Sequence, residues 1–284
     1  MKHIFLNLKR FDVPKCMDGV NSLADICSWG RYIVEATQQE LSYYDPAKVE
    51  FVQFFPEAHL IGAQRALLEN GNLKIGCQGV FRHDTALGGN FGSFTTNFPA
   101  SAASAMGCHY AIIGHCEERA DKLEILTEAG VDCPACIDRI LNQEVLCAQG
   151  RGMSVLFCIG EKEDEQPRWQ DVLRRQLESG LKDADLSRVV IGYEPVWSIG
   201  PGKSPADKNY ISTVARFIKQ VTGNVDIVYG GGLTSDNAGM LSEIPEISGG
   251  LIALTRFVGN IGFYPDEYLG IVKTYLGAAE RSSL

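Results

Sequence analysis

The sequence predicts an α/β protein folded as one closed (β/α)8 barrel. Three observations carry that prediction. Short apolar segments recur along the chain, several of the stretches between them switch to helical periodicity, and 284 residues fit one barrel domain. The segments cover 3–8, 49–54, 74–79, 109–114, 154–160, 188–193, 225–230 and 250–254. Strands alternating with helices imply right-handed βαβ units and a parallel sheet, and eight such repeats favour closure, with a doubly wound open sheet as the alternative.

The first segment starts almost at the N-terminus, where His3-Ile4-Phe5-Leu6 enters a strand-like pattern at once. Neither a long apolar core nor a small-residue cleavage site precedes it, so export is not expected. After the third segment comes the one odd stretch, 81–91, which is polar and carries Gly88-Gly89-Asn90 near its tip. It reads as an enlarged loop over about 80–97. After the fifth, Trp169, Val172, Leu173 and Leu177 recur at helical spacing, and Ile211, Val214, Ile218 and Val221 do so after the sixth. The sixth, Val189-Val190-Ile191-Gly192-Tyr193, is apolar without alternation, as a strand buried on both faces must be. No linker or low-complexity tract divides the chain, so 1–284 reads as a single domain.

Composition excludes several function classes. Apolar residues make up 45% and charged residues 21%, and no apolar run approaches the ~20 residues of a membrane helix. A formal net charge of −9 argues against nucleic acid or an anionic membrane as partner, because both require clustered Lys and Arg. It leaves room for a small anionic substrate, since a few local cations and backbone N–H groups hold one phosphate. The nine cysteines form an odd set without a disulfide framework, as expected of thiols in a reducing cytosol. Cys133-Pro134-Ala135-Cys136 is the only CxxC; with no second pair it reads as incidental helix-start cysteines rather than as a metal or redox site. Gly202-Lys203-Ser204 resembles the end of a P-loop, but Trp197 stands where the first glycine should be.

Active sites of such barrels gather where strands end. Those ends supply Asn7 and Lys9, His115 and Glu117, Cys158-Ile159-Gly160-Glu161, Glu194, and Tyr229-Gly230-Gly231-Gly232. Glu194 closes an apolar strand just before a loop punctuated by Pro195, Gly200, Pro201 and Gly202, which suits a base beside a lid. A carboxylate, an imidazole and an ammonium from separate strands are what proton abstraction beside a carbonyl requires.

These residues resemble the triosephosphate isomerase family. Asn7-Leu8-Lys9 matches its Asn-x-Lys, and Gly114-His115-Cys116-Glu117 resembles its Gly-His-Ser-Glu. The run from Tyr193 to Lys203 matches its base-plus-lid motif, and Tyr229-Gly230-Gly231 its phosphate-side Tyr-Gly-Gly, all in the family's order. The resemblance implies a TIM barrel and ketose–aldose isomerisation through an enediolate, with Glu194 as base and a neutral His115 as electrophile. It further implies that Lys9 stabilises negative charge, Glu117 holds the Lys9 ammonium, and Asn7 adds a hydrogen bond. Gly200, Gly231 and Gly232 would serve the phosphate, and Cys158 would be a small buried neighbour of the base. No cofactor and no metal is expected. The implied partner is a small sugar phosphate, with no nucleic acid and no membrane, and the implied state is a cytoplasmic homodimer.

The match breaks at three places. Gly232 stands where relatives carry Ser. The family's Gly-Gly after the last strand is replaced within Gly250-Leu251-Ile252-Ala253-Leu254-Thr255-Arg256-Phe257, unless Gly259-Asn260 takes that position after a short insertion. In the first register Arg256 offers a planar charged donor to the phosphate, or is a surface residue. An Arg-Phe there resembles a branch of the family that isomerises tetrulose phosphates in tetritol breakdown. The dimer-loop segment is only partly matched, by Gly92-Ser93-Phe94-Thr95-Thr96-Asn97. The expected activity is interconversion of dihydroxyacetone phosphate and glyceraldehyde 3-phosphate. The alternatives are tetrulose phosphates such as those of erythrulose, and a non-catalytic phosphometabolite sensor.

Overall fold

The computed structural model describes residues 1–199, 203 and 206–277. Within them the eight apolar segments form β1 (Lys2–Asn7), β2 (Val49–Phe55), β3 (Leu73–Cys77), β4 (Tyr110–Ile113), β5 (Ser154–Ile159), β6 (Val189–Tyr193), β7 (Ile227–Tyr229) and β8 (Gly249–Ile252). All neighbours pair in parallel, and β1 pairs with both β2 and β8, through Ile4↔Phe51 and Ile4↔Gly250. That second pairing closes the sheet and rules out the open alternative. Closure brings β8 hard against β1. A Cβ on Gly249 would lie 1.7 Å from the His3 carbonyl oxygen, so the seam requires glycine there.

The helices between strands are α1 (Trp29–Leu41), α2 (Glu57–Ala66), α3 (Ala100–Ala105), α4 (Cys116–Glu128), α5 (Pro134–Gly150), α6 (Trp169–Gly180), α7 (Lys208–Thr222), α8 (Ala238–Ser242) and α9 (Pro265–Leu276). Most of the periodic residues are buried: Val172, Leu173 and Leu177 on α6 and Ile211, Val214 and Ile218 on α7, while Trp169 and Val221 are half-buried against the same core. Sequence also sets the bounds of α7. The Asp207 carboxylate accepts the Tyr210 N–H at 2.9 Å as an N-cap, and Gly223 at φ +69° ends the helix in a left-handed turn.

Alternate strand residues sort into two cores. Phe5, Phe54, Tyr110, Ile112, Leu156 and Val228 belong to the inner cluster, while Ile4, Leu6, Phe51 and Phe55 pack under the helices. The inner aromatics interlock, with Phe5 meeting Phe54 edge-on at 5.7 Å between ring centres. Between β3 and α3, residues 78–99 contain neither helix nor strand. Asp84 ties this segment down by accepting the Ser101 N–H at 3.0 Å and an ion pair from Arg151, while Leu87 and Phe91 stay exposed.

The N-terminal end of the barrel holds a buried polar network. His3 bridges Glu50 at 2.9 Å and Asp226 at 3.1 Å, and Glu50 also accepts from Tyr110 Oη at 2.7 Å and Lys74 Nζ at 2.6 Å. One expectation about cysteines needs correction. Cys133 and Cys136 are joined in a disulfide, whereas the sequence reading takes all nine as thiols. The reason is local: Cys133 is the N-cap of α5 and Cys136 lies within its first turn, which sets their Cα atoms 5.3 Å apart, inside disulfide reach.

Candidate active site

Asn7 ends β1, is buried, and turns its side chain onto the next residues: its Oδ1 accepts the Lys9 N–H at 3.1 Å. Lys9 has φ +40°, a conformation that costs a non-glycine residue of order 1–3 kcal/mol and persists only when its surroundings hold it. Gln78 supplies part of that hold. Its Nε2 lies 3.1 Å from the Lys9 carbonyl, 3.3 Å from Asn7 Oδ1 and 3.3 Å from the Phe54 carbonyl. The Lys9 ammonium then reaches Glu117 Oε1 at 2.6 Å. Burial alone would raise the Glu117 carboxyl, but the Lys9 contact holds it below the usual glutamate range.

His115 is the N-cap of α4, at the turn that follows Gly114 (φ +80°). Its Nδ1 accepts the Glu117 N–H at 3.3 Å and lies 3.8 Å from Cys116 Sγ. With Nδ1 accepting, a neutral ring carries its proton on Nε2. Burial first, then the Lys9 charge, pushes the imidazole down to about 4, and the positive end of α4 acts in the same direction. The ring is therefore neutral at ordinary pH.

Glu194 follows β6 and is 2% exposed. Its backbone N–H donates to Ile159 O at 2.8 Å, which fixes the residue at the strand end. Its Oε2 accepts the Cys116 N–H at 2.9 Å, and its Oε1 lies 3.2 Å from His115 Nε2. Burial pushes the carboxyl up to about 8, against the pull of the Cys116 N–H and Lys9. Gly230 makes room for it, because a Cβ there would lie 2.6 Å from Glu194 Cγ. Cys158 is fully buried, and its thiol is raised by burial, as suits a packing neighbour rather than a nucleophile.

The segment after Glu194 is anchored by Glu161. One buried oxygen, Oε1, accepts from Trp197 Nε1 at 2.7 Å, Tyr193 Oη at 3.0 Å and Tyr210 Oη at 3.0 Å. Further on, Lys203 Nζ pairs with Glu163 at 3.2 Å. Gly200 lies outside the described residues.

The structure thus brings Asn7, Lys9, His115 and Glu117 around one cavity of 410 Å3, with Gln78 on its wall. Glu194 touches His115 and borders an adjoining 160 Å3 cavity beside Gly160 and Val196. Gly231, Gly232 and Arg256 line neither cavity. Gly232 adopts φ +93°, and its carbonyl accepts from Asn237 Nδ2 at 2.8 Å. The Arg256 guanidinium pairs with Glu267 and lies over the Tyr264 ring at 4.0 Å. Arg256 and Gly259-Asn260 both fall in one excursion after β8, where Arg256 bridges Gly262 and Gly259 turns at φ +73°.

Gln78, Glu161 and Arg119 were not singled out individually from the sequence. Arg119, one turn into α4, donates from Nε to the Gly114 carbonyl at 2.9 Å and from Nη2 to the Cys158 carbonyl at 3.0 Å. Each of the three lies at a strand end or one turn beyond, but each works largely through backbone or side-chain partners from another part of the chain. Among the described residues, His115, Cys116 and Glu194 form the one cluster able to offer a metal three ligand atoms, all within 4.8 Å of one another.

A family model described as Triosephosphate isomerase matches residues 30–257. The chain belongs to the triosephosphate isomerase family. Among similar curated proteins, the triosephosphate isomerase of Pseudomonas entomophila is 32% identical over 255 residues, covering 85% of this chain and 91% of that one. The triosephosphate isomerase of Syntrophotalea carbinolica is 30% identical over 226 residues, covering 75% and 80%. That of Bacteroides fragilis reaches 36% over a shorter span of 196 residues, 65% of this chain and 71% of its own. The crystal structure of triosephosphate isomerase from Bartonella henselae superposes with a TM-score of 0.72 over 97% of this chain and 99% of that one, at 23% identity, which establishes the shared fold.

Proposed function

We propose that the protein is an aldose–ketose isomerase that interconverts dihydroxyacetone phosphate and glyceraldehyde 3-phosphate through an enediolate. The observation that carries this reading is the 3.2 Å contact between Glu194 and His115 beside the Lys9–Glu117 pair. Glu194, freed from the Cys116 N–H, takes the proton from one carbon and returns it to the next. Its buried setting makes the carboxylate a stronger base than one in water. His115 Nε2–H stabilises the charge that develops on the substrate oxygens, and a neutral donor gives up little energy in doing so. The Lys9 ammonium, positioned by Glu117 and Asn7, offsets the remaining negative charge.

The run after Glu194 acts as a lid that excludes water, which limits loss of phosphate from the enediolate. Gly200, Gly231 and Gly232 supply backbone donors to the phosphate in this reading. The work is done by a homodimer in the cytoplasm, without a metal or cofactor. No helix among the described residues is long and apolar enough to cross a membrane.

A second reading rests on the end of β8. In the register that sets Arg256 against the family's Gly-Gly, rather than Gly259-Asn260, its guanidinium replaces backbone donors, and phosphate placement selects which carbons face the base. Arg256 exchanging Glu267 for a phosphate would favour tetrulose phosphates over trioses.

One assay decides between them. Purified protein is tested with dihydroxyacetone phosphate, glyceraldehyde 3-phosphate and the erythrulose phosphates, beside Glu194→Asp and His115→Gln. Turnover of the trioses, lowered about 10²-fold or more in both variants, is expected; turnover of four-carbon substrates alone would transfer the assignment to the second reading. No turnover of any of them would overturn the isomerase reading.

A further inference from the structure

We propose that Cys133 and Cys136 form a thiol–disulfide exchange site for low-molecular-weight thiols and disulfides, whose redox state reaches His115 through Asp138 and Arg119. The exchange chemistry stands on its own, whereas its effect on turnover rests on the isomerase reading above.

The site is built for thiolate chemistry. Cys133 caps α5, and its side chain makes no capping hydrogen bond. The positive end of the helix dipole favours negative sulfur there. Arg139 adds a cation one turn on, with Nη2 3.0 Å from Cys136 Sγ and 4.0 Å from Cys133 Sγ. Both sulfurs sit in a half-buried first turn. The other seven cysteines are free thiols: Cys77, Cys108 and Cys158 are buried, Cys116 and Cys147 half-buried, and Cys16 and Cys27 exposed.

The connection to the active site is short. Two residues after Cys136, the fully buried Asp138 accepts from Arg119 Nη1 at 2.8 Å and from Arg175 Nε at 2.9 Å. The same Arg119 holds the carbonyls of Gly114 and Cys158. Gly114 directly precedes His115, and a Cβ on it would lie 2.8 Å from the Cys158 carbonyl oxygen, so this junction has little slack. The disulfide closes the first turn of α5 and thereby fixes the backbone that presents Asp138. Reduction releases that turn and loosens the Arg119 anchor.

The chemistry balances with a disulfide such as oxidised glutathione as oxidant. One cysteine thiolate attacks a sulfur of the reagent, whose S–S bond breaks and releases one thiolate. The second cysteine thiolate then attacks the protein sulfur of the mixed disulfide, forming the Cys133–Cys136 bond and releasing a second thiolate. Two electrons pass from protein to reagent, and the two protons lost by the cysteines end on the two released thiols. Reduction is the reverse.

The test equilibrates the full chain in glutathione buffers of graded thiol-to-disulfide ratio. Alkylation with peptide mass mapping reports Cys133 and Cys136, and amide hydrogen exchange reports residues 114–119. The pair is expected to pass together from alkylated to protected across the series. Reduction should speed exchange at 114–119 and lower turnover about twofold or more, the low end for coupling through a packed network. Cys133→Ser should show the reduced behaviour in every buffer, and Cys136→Ser should carry a single glutathione on Cys133.

A pair that stays alkylated, or stays protected, across the whole series would overturn the proposal. So would a pair that switches while exchange at 114–119 does not respond. The mapping and exchange need no substrate, so a chain without isomerase turnover would fail the functional reading and leave this one decided by its own data.

Discussion

Oε1 of Glu194 lies 3.2 Å from Nε2 of His115, and burial drives the two groups in opposite directions. The carboxyl rises to about 8 and the imidazole falls to about 4. Near pH 7 the substrate-free pair therefore carries little charge, which is how two titratable groups share a buried contact without a full desolvation penalty.

For Glu194 the consequence is a stability that depends on pH. Its folded pKa lies above the unfolded value, so the folded state binds the extra proton, and that stabilisation is full below about 4.5 and lost as pH rises to about 8. Urea unfolding of the wild type should lose on the order of a few kcal/mol across this window relative to Glu194→Gln. Parallel curves for the two proteins would show that the carboxyl is not buried as described. The shorter Glu194→Asp keeps the charge but withdraws it by about 1 Å, and turnover should fall about 10²-fold.

His115 should stay neutral through the working range. Its nitrogen NMR shifts should report a proton on Nε2 and none on Nδ1 from pH 5 to 8, with titration only near pH 4. A His115 signal that titrates near 6.5 would contradict both its burial and the influence of Lys9. Replacement by Gln should lower turnover about 10²-fold or more, as loss of a positioned proton donor does.

Lys9 combines strain with function. Both Lys9→Gly and Lys9→Ala remove the ammonium, so their difference isolates the backbone at φ +40°. Lys9→Gly should be the more stable by about 1 kcal/mol, and both should lose turnover. Thermal unfolding of the pair checks the first point. Equal stability would mean that Asn7 and Gln78 impose no strain.

At the far end of the barrel the sign is opposite in origin. Burial alone would lower His3, but Asp226 and Glu50 raise it above 6.5, so its stabilising charge is full below that value and lost as pH rises through the folded pKa. His3→Gln should therefore cost more stability at pH 5.5 than at pH 9, by about 1–2 kcal/mol at the acid end, where it removes the cation that Glu50 and Asp226 share. Unfolding curves at the two pH values check this, and an equal cost at both would dissociate the network from His3 ionisation.

By itself the sequence determined the strand–helix alternation, the strand ends that carry Asn7, Lys9, His115 and Glu194, and the family those residues resemble. These are local signals: an apolar run ends, and a polar residue or a Gly turn follows within one or two positions. Closure was not local, because it rests on β1 meeting β8 across most of the chain, with Gly249 fitting under the His3 carbonyl. Tertiary structure alone assigned Gln78 to the strained Lys9 backbone and set Glu161 under Trp197, since both act on partners at a distance in the chain. It alone engaged Arg256 with Glu267 and Tyr264. It also paired Cys133 with Cys136, because a CxxC closes as a disulfide only where the backbone brings its two Cα atoms within reach, and here the first turn of α5 sets that distance.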